Sequence, residues 1–238
     1  MTNDELKRYN RHIILPGMGT EGQQKLKDAV VLVVGCGGLG CPVLQYLVAA
    51  GVGNIGMIDP DMVSESNLQR QILYSIDDIG KPKVFVAKEW LVKLNPFVNI
   101  TPYYTAFDVN NCREMVSDYS IVIDCTDNFA TRYIINDSCI EQNKVMVYGS
   151  VFQFEGQASV FNYKEGPSYR SLYPEPPGAN EVPKASEVGV LGVLPGIIGL
   201  IQATEVIKII TGLGKVLSGK LLVYDALGMS FQIFNVCK

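Results

Sequence analysis

Val30-Val31-Leu32-Val33-Val34-Gly35-Cys36-Gly37-Gly38-Leu39-Gly40 is the stretch whose reading decides the architecture. Five apolar residues, four of them β-branched, read as a strand buried on both faces, because a half-exposed strand would alternate with polar residues. The spacing Gly35-X-Gly37-X-X-Gly40 follows at once, with Gly38 inside it, and an apolar helical pattern opens behind it over about 39–50. In that context Gly35 permits the tight turn, Gly37 lets backbone approach a phosphate, and Gly40 lets helix and strand pack closely. Backbone N–H groups at the start of the helix then form an anion site. A second strand over 54–59 completes a βαβ unit. It ends at Asp59, 19 residues after Gly40, where an acid can take ribose hydroxyls. A tight turn without a ligand is the alternative, but strand, helix and acid together favour a nucleotide.

Working outward, a helix is expected over 81–94, where Val84, Ala87, Leu91 and Leu94 recur at helical spacing and Asn95-Pro96 stops it. Strands over 98–106 and 119–124 and a helix over 128–142 follow. Upstream, 6–27 reads as helical pieces broken at Pro16-Gly17. After Lys144 the pattern changes. Runs at 145–151 and 157–161, separated by a Phe154-Glu155-Gly156 turn, suit antiparallel pairing, and a buried helix over 195–211 and strands over 220–225 and 229–235 close the chain. Gly166–Ser186 holds five prolines and no periodicity, a long loop of the kind that is usually functional. The expected fold is α/β: a Rossmann-like doubly wound sheet with a parallel N-terminal half and a more antiparallel C-terminal half, in one domain spanning 1–238.

Composition excludes several classes. With 20 basic and 24 acidic residues, a net charge of −4 and no basic run, nucleic acid is not an expected partner. The single histidine, His12, rules out a His-rich zinc centre and is read as a packing residue. Six cysteines at 36, 41, 112, 125, 139 and 237 contain no CxxC pair and no disulfide framework, so the cytosol is the expected compartment. The first residues are polar and lack the apolar core of a signal peptide. Ala29–Ile58 carries no charge but contains seven glycines and Pro42, and Val188–Thr204 carries Pro195 and four glycines. Both read as inside structure, and no membrane span is expected.

Beyond the glycine turn stand Asp61, Asn67, Arg70, Gln71 and Lys83. Singly, Arg70 and Lys83 read as solvated charges. Together, beside a mononucleotide site, two cations suit a triphosphate and its departing pyrophosphate better than a dinucleotide bridge, which disfavours an NAD-linked oxidoreductase. Asp124-Cys125-Thr126-Asp127-Asn128 ends a buried strand, where ligands of open α/β sheets collect. There Asp127 either holds Mg²⁺ against phosphate oxygens or caps the following helix.

These motifs, with Arg8-Tyr9-Asn10-Arg11, Ser66–Gln71, Tyr173-Pro174-Glu175-Pro176-Pro177 and Gly189–Gly199, resemble the bacterial ubiquitin-activating-like adenylyltransferases known as ThiF, MoeB and HesA. The resemblance covers essentially the whole chain. It implies binding of Mg·ATP and adenylation of the C-terminal Gly-Gly carboxylate of a small ubiquitin-like sulfur carrier protein, with release of pyrophosphate. It assigns the ribose to Asp59, phosphates to Asn67, Arg70 and Lys83, and magnesium to Asp127 beside Asn128. Arg11 would reach the phosphates from the other subunit of a homodimer. Residues 1–143 become the nucleotide-binding half and 144–238 the carrier-binding half; the length and prolines of the 166–186 loop suggest in addition that it crosses over the nucleotide and the carrier tail.

Three departures from that family pattern stand out. Ser168 and Ser171 occupy the first CxxC of a structural zinc site, and the second CxxC is missing because the chain given stops at Lys238. Serine is a poor zinc ligand, so zinc is not expected. A cysteine that some relatives use for a covalent link to the carrier corresponds to Ala185, which cannot form one. Adenylation without a covalent step is therefore expected, with a separate sulfur donor completing the thiocarboxylate. A non-catalytic carrier-binding scaffold of the same fold is the alternative.

Overall fold

The computed structural model describes residues 1–178 and 188–238. Strand β1 (Val30–Val34) lies inside one eight-stranded sheet of order β3-β2-β1-β4-β5-β6-β7-β8. The neighbours β2 (Asn54–Ile58), β3 (Asn99–Tyr103), β4 (Ile121–Asp124) and β5 (Val145–Phe152) pair in parallel. From β5 onward, β6 (Glu155–Phe161), β7 (Lys220–Asp225) and β8 (Ser230–Asn235) pair antiparallel. The fold is therefore the expected Rossmann-like doubly wound sheet with an antiparallel extension. The chain builds β1, β2, β3 outward in one direction and then crosses back to place β4 on the other side of β1. That reversal opens a crevice at the carboxyl ends of β1 and β4.

The alternation within β1 explains the layers. Val31 and Val33 belong to a core shared with α4 (Gly40–Ala50), α5 (Lys83–Leu94) and α9 (Leu194–Thr211). Leu32 and Val34 face the other way, into a core with α6 (Cys112–Ser117), α7 (Phe129–Glu141) and α8 (Tyr169–Leu172). Burial on both faces is what a fully apolar strand requires. The short N-terminal helices α1 (Asn3–Arg8), α2 (Asn10–Ile13) and α3 (Gly19–Asp28) pack in sequence, and α3 also meets α9. By length and composition alone α9 could cross a membrane, but half of it is buried, against β5, β6 and α4.

Three details depart from expectation. Residues 112–117 form α6, which lacks a strong periodic signal, and 169–172 form α8 inside the expected loop. The β5–β6 turn falls at Gln153-Phe154, because Phe152 pairs with Glu155 and Gln153 takes the left-handed conformation at φ 49°. A non-glycine residue in that conformation leaves little trace in a sequence. Residues 179–186 of the expected 166–186 loop, including Ala185, lie outside the described residues.

Candidate nucleotide site and family

The glycine turn is shaped by what surrounds it. Gly35 has φ +98°, and a Cβ on it would lie 2.6 Å from the Cys125 carbonyl oxygen of the β4 end. A Cβ on Gly40 would overlap the Gly35 carbonyl oxygen. The turn is thereby drawn tight against both β4 and the start of α4. No backbone crowds Gly37, whose nearest neighbour is the Gln71 amide, and Gly38 faces Pro195 and the Arg70 stem.

Asp59 is buried and holds this turn in place. Its Oδ2 accepts from the Cys36 N–H at 2.7 Å and its Oδ1 from the Asp61 N–H at 2.8 Å. The Tyr74 hydroxyl donates to the Cys36 carbonyl at 2.7 Å. Burial pushes the Asp59 carboxyl above its ordinary pKa, with the Lys83 charge and the two N–H bonds pulling the other way. Each carboxylate oxygen keeps lone-pair capacity for a further donor.

Lys83 opens α5 and is 3% exposed, with its Nζ 2.9 Å from Asp61 Oδ2. Burying a cation is costly without a partner. Asp61 supplies one and is itself exposed, so the pair reaches the surface on the carboxylate side. Arg70 and Gln71 are placed by the short turn Glu65–Asn67, whose last carbonyl accepts both their N–H groups. Arg70 Nη1 donates to Ser66 O at 3.1 Å, leaving the rest of the fork free for an anion. Gln71 is buried with its Oε1 lacking any partner among the described residues. An orphaned acceptor under the glycine turn fits a site that a donor completes.

Beyond Gly38 and Arg70 an apolar cavity of about 560 Å³ runs to the start of α9, lined by Ile72, Leu191, Val193 and Leu200 among others. On the β4 side, Asn128 caps α7, its Oδ1 accepting from Thr131 N at 2.9 Å. Capping thus falls to Asn128, and the exposed Asp127 makes no hydrogen bond or ion pair among the described residues. A hard oxygen donor without a partner, next to the glycine turn, fits magnesium rather than a softer metal.

The structure therefore brings Gly35, Gly37, Gly38, Gly40, Asp59, Asp61, Asn67, Arg70, Gln71, Lys83 and the Asp127-Asn128 turn to one end of the sheet. Arg11 is not among them. It is exposed on α2, which packs on α1 and α3. Ser168 and Ser171 form a capping box on α8, their hydroxyl oxygens 3.4 Å apart. Among the described residues no group of three His, Cys, Asp or Glu side chains could hold a metal ion. Three buried residues around this end were not singled out in the sequence: Tyr74, Arg132 and Gln202. A buried arginine on a helix face otherwise carrying Ile135 and Cys139 was the available signal, since it demands a carboxylate.

A glycine turn at the switch point, an acid at the end of β2 and two cations beside them make this a Rossmann-like protein of the nucleotide-binding class. The chain belongs to the ThiF family, whose model matches residues 9–238. It is 48% identical over 240 residues to the sulfur carrier protein adenylyltransferase of Thermus thermophilus, covering 99% of this chain and 89% of that one. It is 50% identical over 234 residues to a probable molybdopterin-synthase adenylyltransferase of Porphyra purpurea, covering 98% of this chain but 61% of that protein. Among solved structures, Escherichia coli MccB with MccA-N7isoASN superposes with a TM-score of 0.86 at 22% identity, over 98% of this chain and 72% of the other. That likeness is one of fold.

Proposed function

We propose that the chain binds Mg·ATP and adenylates the C-terminal Gly-Gly carboxylate of a small ubiquitin-like sulfur carrier protein. A carboxylate oxygen attacks the α-phosphorus, the bond to the bridging oxygen breaks, and pyrophosphate leaves with that electron pair. The observation that carries this reading is the set Asp59, Arg70 and Lys83 around one glycine turn, in a chain nearly half identical to a carrier adenylyltransferase.

Two anions must meet, so the work is charge neutralisation and alignment rather than proton transfer. Asp59 would accept from ribose hydroxyls, while Asn67, Arg70 and Lys83 would take phosphate oxygens. Magnesium, when bound, neutralises phosphate charge, and Asp127 is the residue to hold it. None of these steps needs a histidine. Burial holds the Cys36, Cys125 and Cys139 thiols well above the ordinary thiol range and pushes Cys41 up to about 12, so the four buried cysteines are poor sources of a thiolate for an acyl link. The proposed product is the acyl-adenylate, passed to a separate sulfur donor in molybdopterin, thiamin or related biosynthesis in the cytosol.

The working unit we propose is a homodimer that brings Arg11 to the partner's phosphates. Ile72 and Val193, at the cavity mouth, are 67% and 65% exposed, an apolar face suited to a second copy. Carrier-dependent exchange of labelled pyrophosphate into ATP tests the activity. Exchange is expected, falling at least 100-fold in Arg70→Ala and Asp127→Ala with unfolding temperatures unchanged. A folded wild type that exchanges no label with Gly-Gly carriers refutes the reading.

A further inference from the structure

The turn that carries Asp127 is held from both faces of the sheet by two buried side chains, Arg132 and Gln202. From α7, Arg132 is 3% exposed; its Nε donates to Asp124 Oδ2 at 2.8 Å and its Nη2 to the Thr126 carbonyl at 3.1 Å. The other Asp124 oxygen, Oδ1, accepts from the Thr126 N–H at 3.0 Å and the Thr126 hydroxyl at 2.6 Å. From α9, on the opposite face, Gln202 Nε2 donates to the Asp124 carbonyl at 2.7 Å and to the Val147 carbonyl at 3.3 Å. Gly149 makes room for that amide, since a Cβ there would overlap it.

The Thr126 carbonyl and the Asp127 N–H belong to one rigid peptide plane. A donor on that carbonyl therefore sets the direction in which Asp127 leaves the turn. Arg132 cannot drift, because its guanidinium lies over the Tyr148 ring at 5.0 Å and the Tyr169 ring at 5.9 Å. Burial opposes its charge, but Asp124 and the two tyrosines raise its pKa overall, so it stays a cation. Two donors in a fixed fork, one on the Asp124 carboxylate and one on a main-chain carbonyl, are more than charge balance for Asp124 requires.

We propose that Arg132 and Gln202 are positioning residues for Asp127, Arg132 orienting the Thr126–Asp127 peptide and Gln202 tying the same turn to α9. Its catalytic part rests on the adenylation reading above; its geometric part does not. Lysine at 132 keeps a charge against Asp124 but has no planar fork to reach Thr126 as well. Methionine at 202 keeps the volume and loses the amide.

The test uses the full chain with Arg132→Lys and, separately, Gln202→Met. Without ligands, the Thr126 amide is expected to exchange hydrogen about tenfold faster in either variant, with the amides of 121–123 unchanged. With Mg·ATP and carrier, pyrophosphate exchange is expected to fall at least tenfold at unchanged KM for ATP, a loss of the size that small misplacements cause. In a chain already carrying Asp127→Asn, adding either substitution is expected to change exchange less than twofold. Unaltered Thr126 exchange in the folded variants overturns the proposal, as does an equal loss with and without Asp127. A wild type lacking pyrophosphate exchange would instead sink the adenylation reading, while the Thr126 amide would still decide the geometry. If Arg132→Lys does not fold, Gln202→Met carries the same comparison.

Discussion

At the scale of single residues, Asp59 shows how one side chain serves both fold and site. It satisfies two N–H groups of the turns it joins, and in the proposed function it also takes the ribose. Its raised pKa carries a definite sign: the folded state prefers the protonated acid, so this group's contribution to stability falls as pH rises from the unfolded value near 4 through the raised folded value. Nucleotide binding has the opposite dependence, because protonation removes an acceptor. ATP affinity measured by calorimetry is expected to decline as pH is lowered through that raised pKa, and Asp59→Asn to show weak binding without that decline. A matching decline in both proteins would place the titration elsewhere. The residues in the motif were legible because glycine spacing and an acid at a strand end report local geometry. Arg132 and Gln202 were not, because their partners, Asp124 and Val147, belong to other elements.

At the scale of elements, strand and helix identity followed from periodicity, most securely in β1 and α4, where five apolar residues run straight into the glycine turn. Failures came where tertiary contacts decide. Segment 169–172 turns helical because Tyr169 inserts between Tyr133, Tyr148 and Phe161, and the Tyr169 N–H donates to Asn136 Oδ1 at 2.9 Å. Arg170 then clasps Asp137 on α7 through two bonds of 2.7 and 2.8 Å. The clasp joins α8 to α7 beside the Ser168 and Ser171 hydroxyls. Hydrogen bonding to Arg170 lowers the Asp137 pKa, so its stabilisation is present above the unfolded value near 3.9 and is lost as pH falls through the depressed folded one. Both partners are partly exposed, which limits the effect to about 1 kcal/mol. Asp137→Asn is thus expected to lower urea-unfolding stability by up to about 1 kcal/mol at pH 7 and not at all once the pH lies below the depressed folded value, where the carboxyl is protonated in both states. An equal deficit at both pH values would mean that packing, not charge, holds α8.

At the scale of the whole molecule, Arg11 matters most. It is exposed on α2, next to Tyr9, which packs against Gly51 at the end of α4 opposite the glycine turn, so the proposed role calls for a second copy. Mixing Arg11→Ala with Asp127→Ala, each inactive alone, then gives one intact site in each mixed dimer. After subunit exchange about a quarter of wild-type pyrophosphate exchange should return, since half of the dimers are mixed and half of their sites are whole. No recovery would place Arg11 in its own chain's site or in none.

The sequence alone was enough for the eight strands, the longer helices, an antiparallel C-terminal half and the glycine turn with its acid, but not for the short helices α6 and α8. What it determined is written in neighbouring residues, through period, spacing and turn chemistry. Only the tertiary structure decided which carbonyl excludes a Cβ at Gly35, that Asn128 rather than Asp127 caps α7, and that Arg132 and Gln202 hold the turn between them. Those outcomes depend on contacts between residues up to 90 positions apart, such as Gly35 with Cys125, and a buried donor or acceptor takes the partner that packing brings to it.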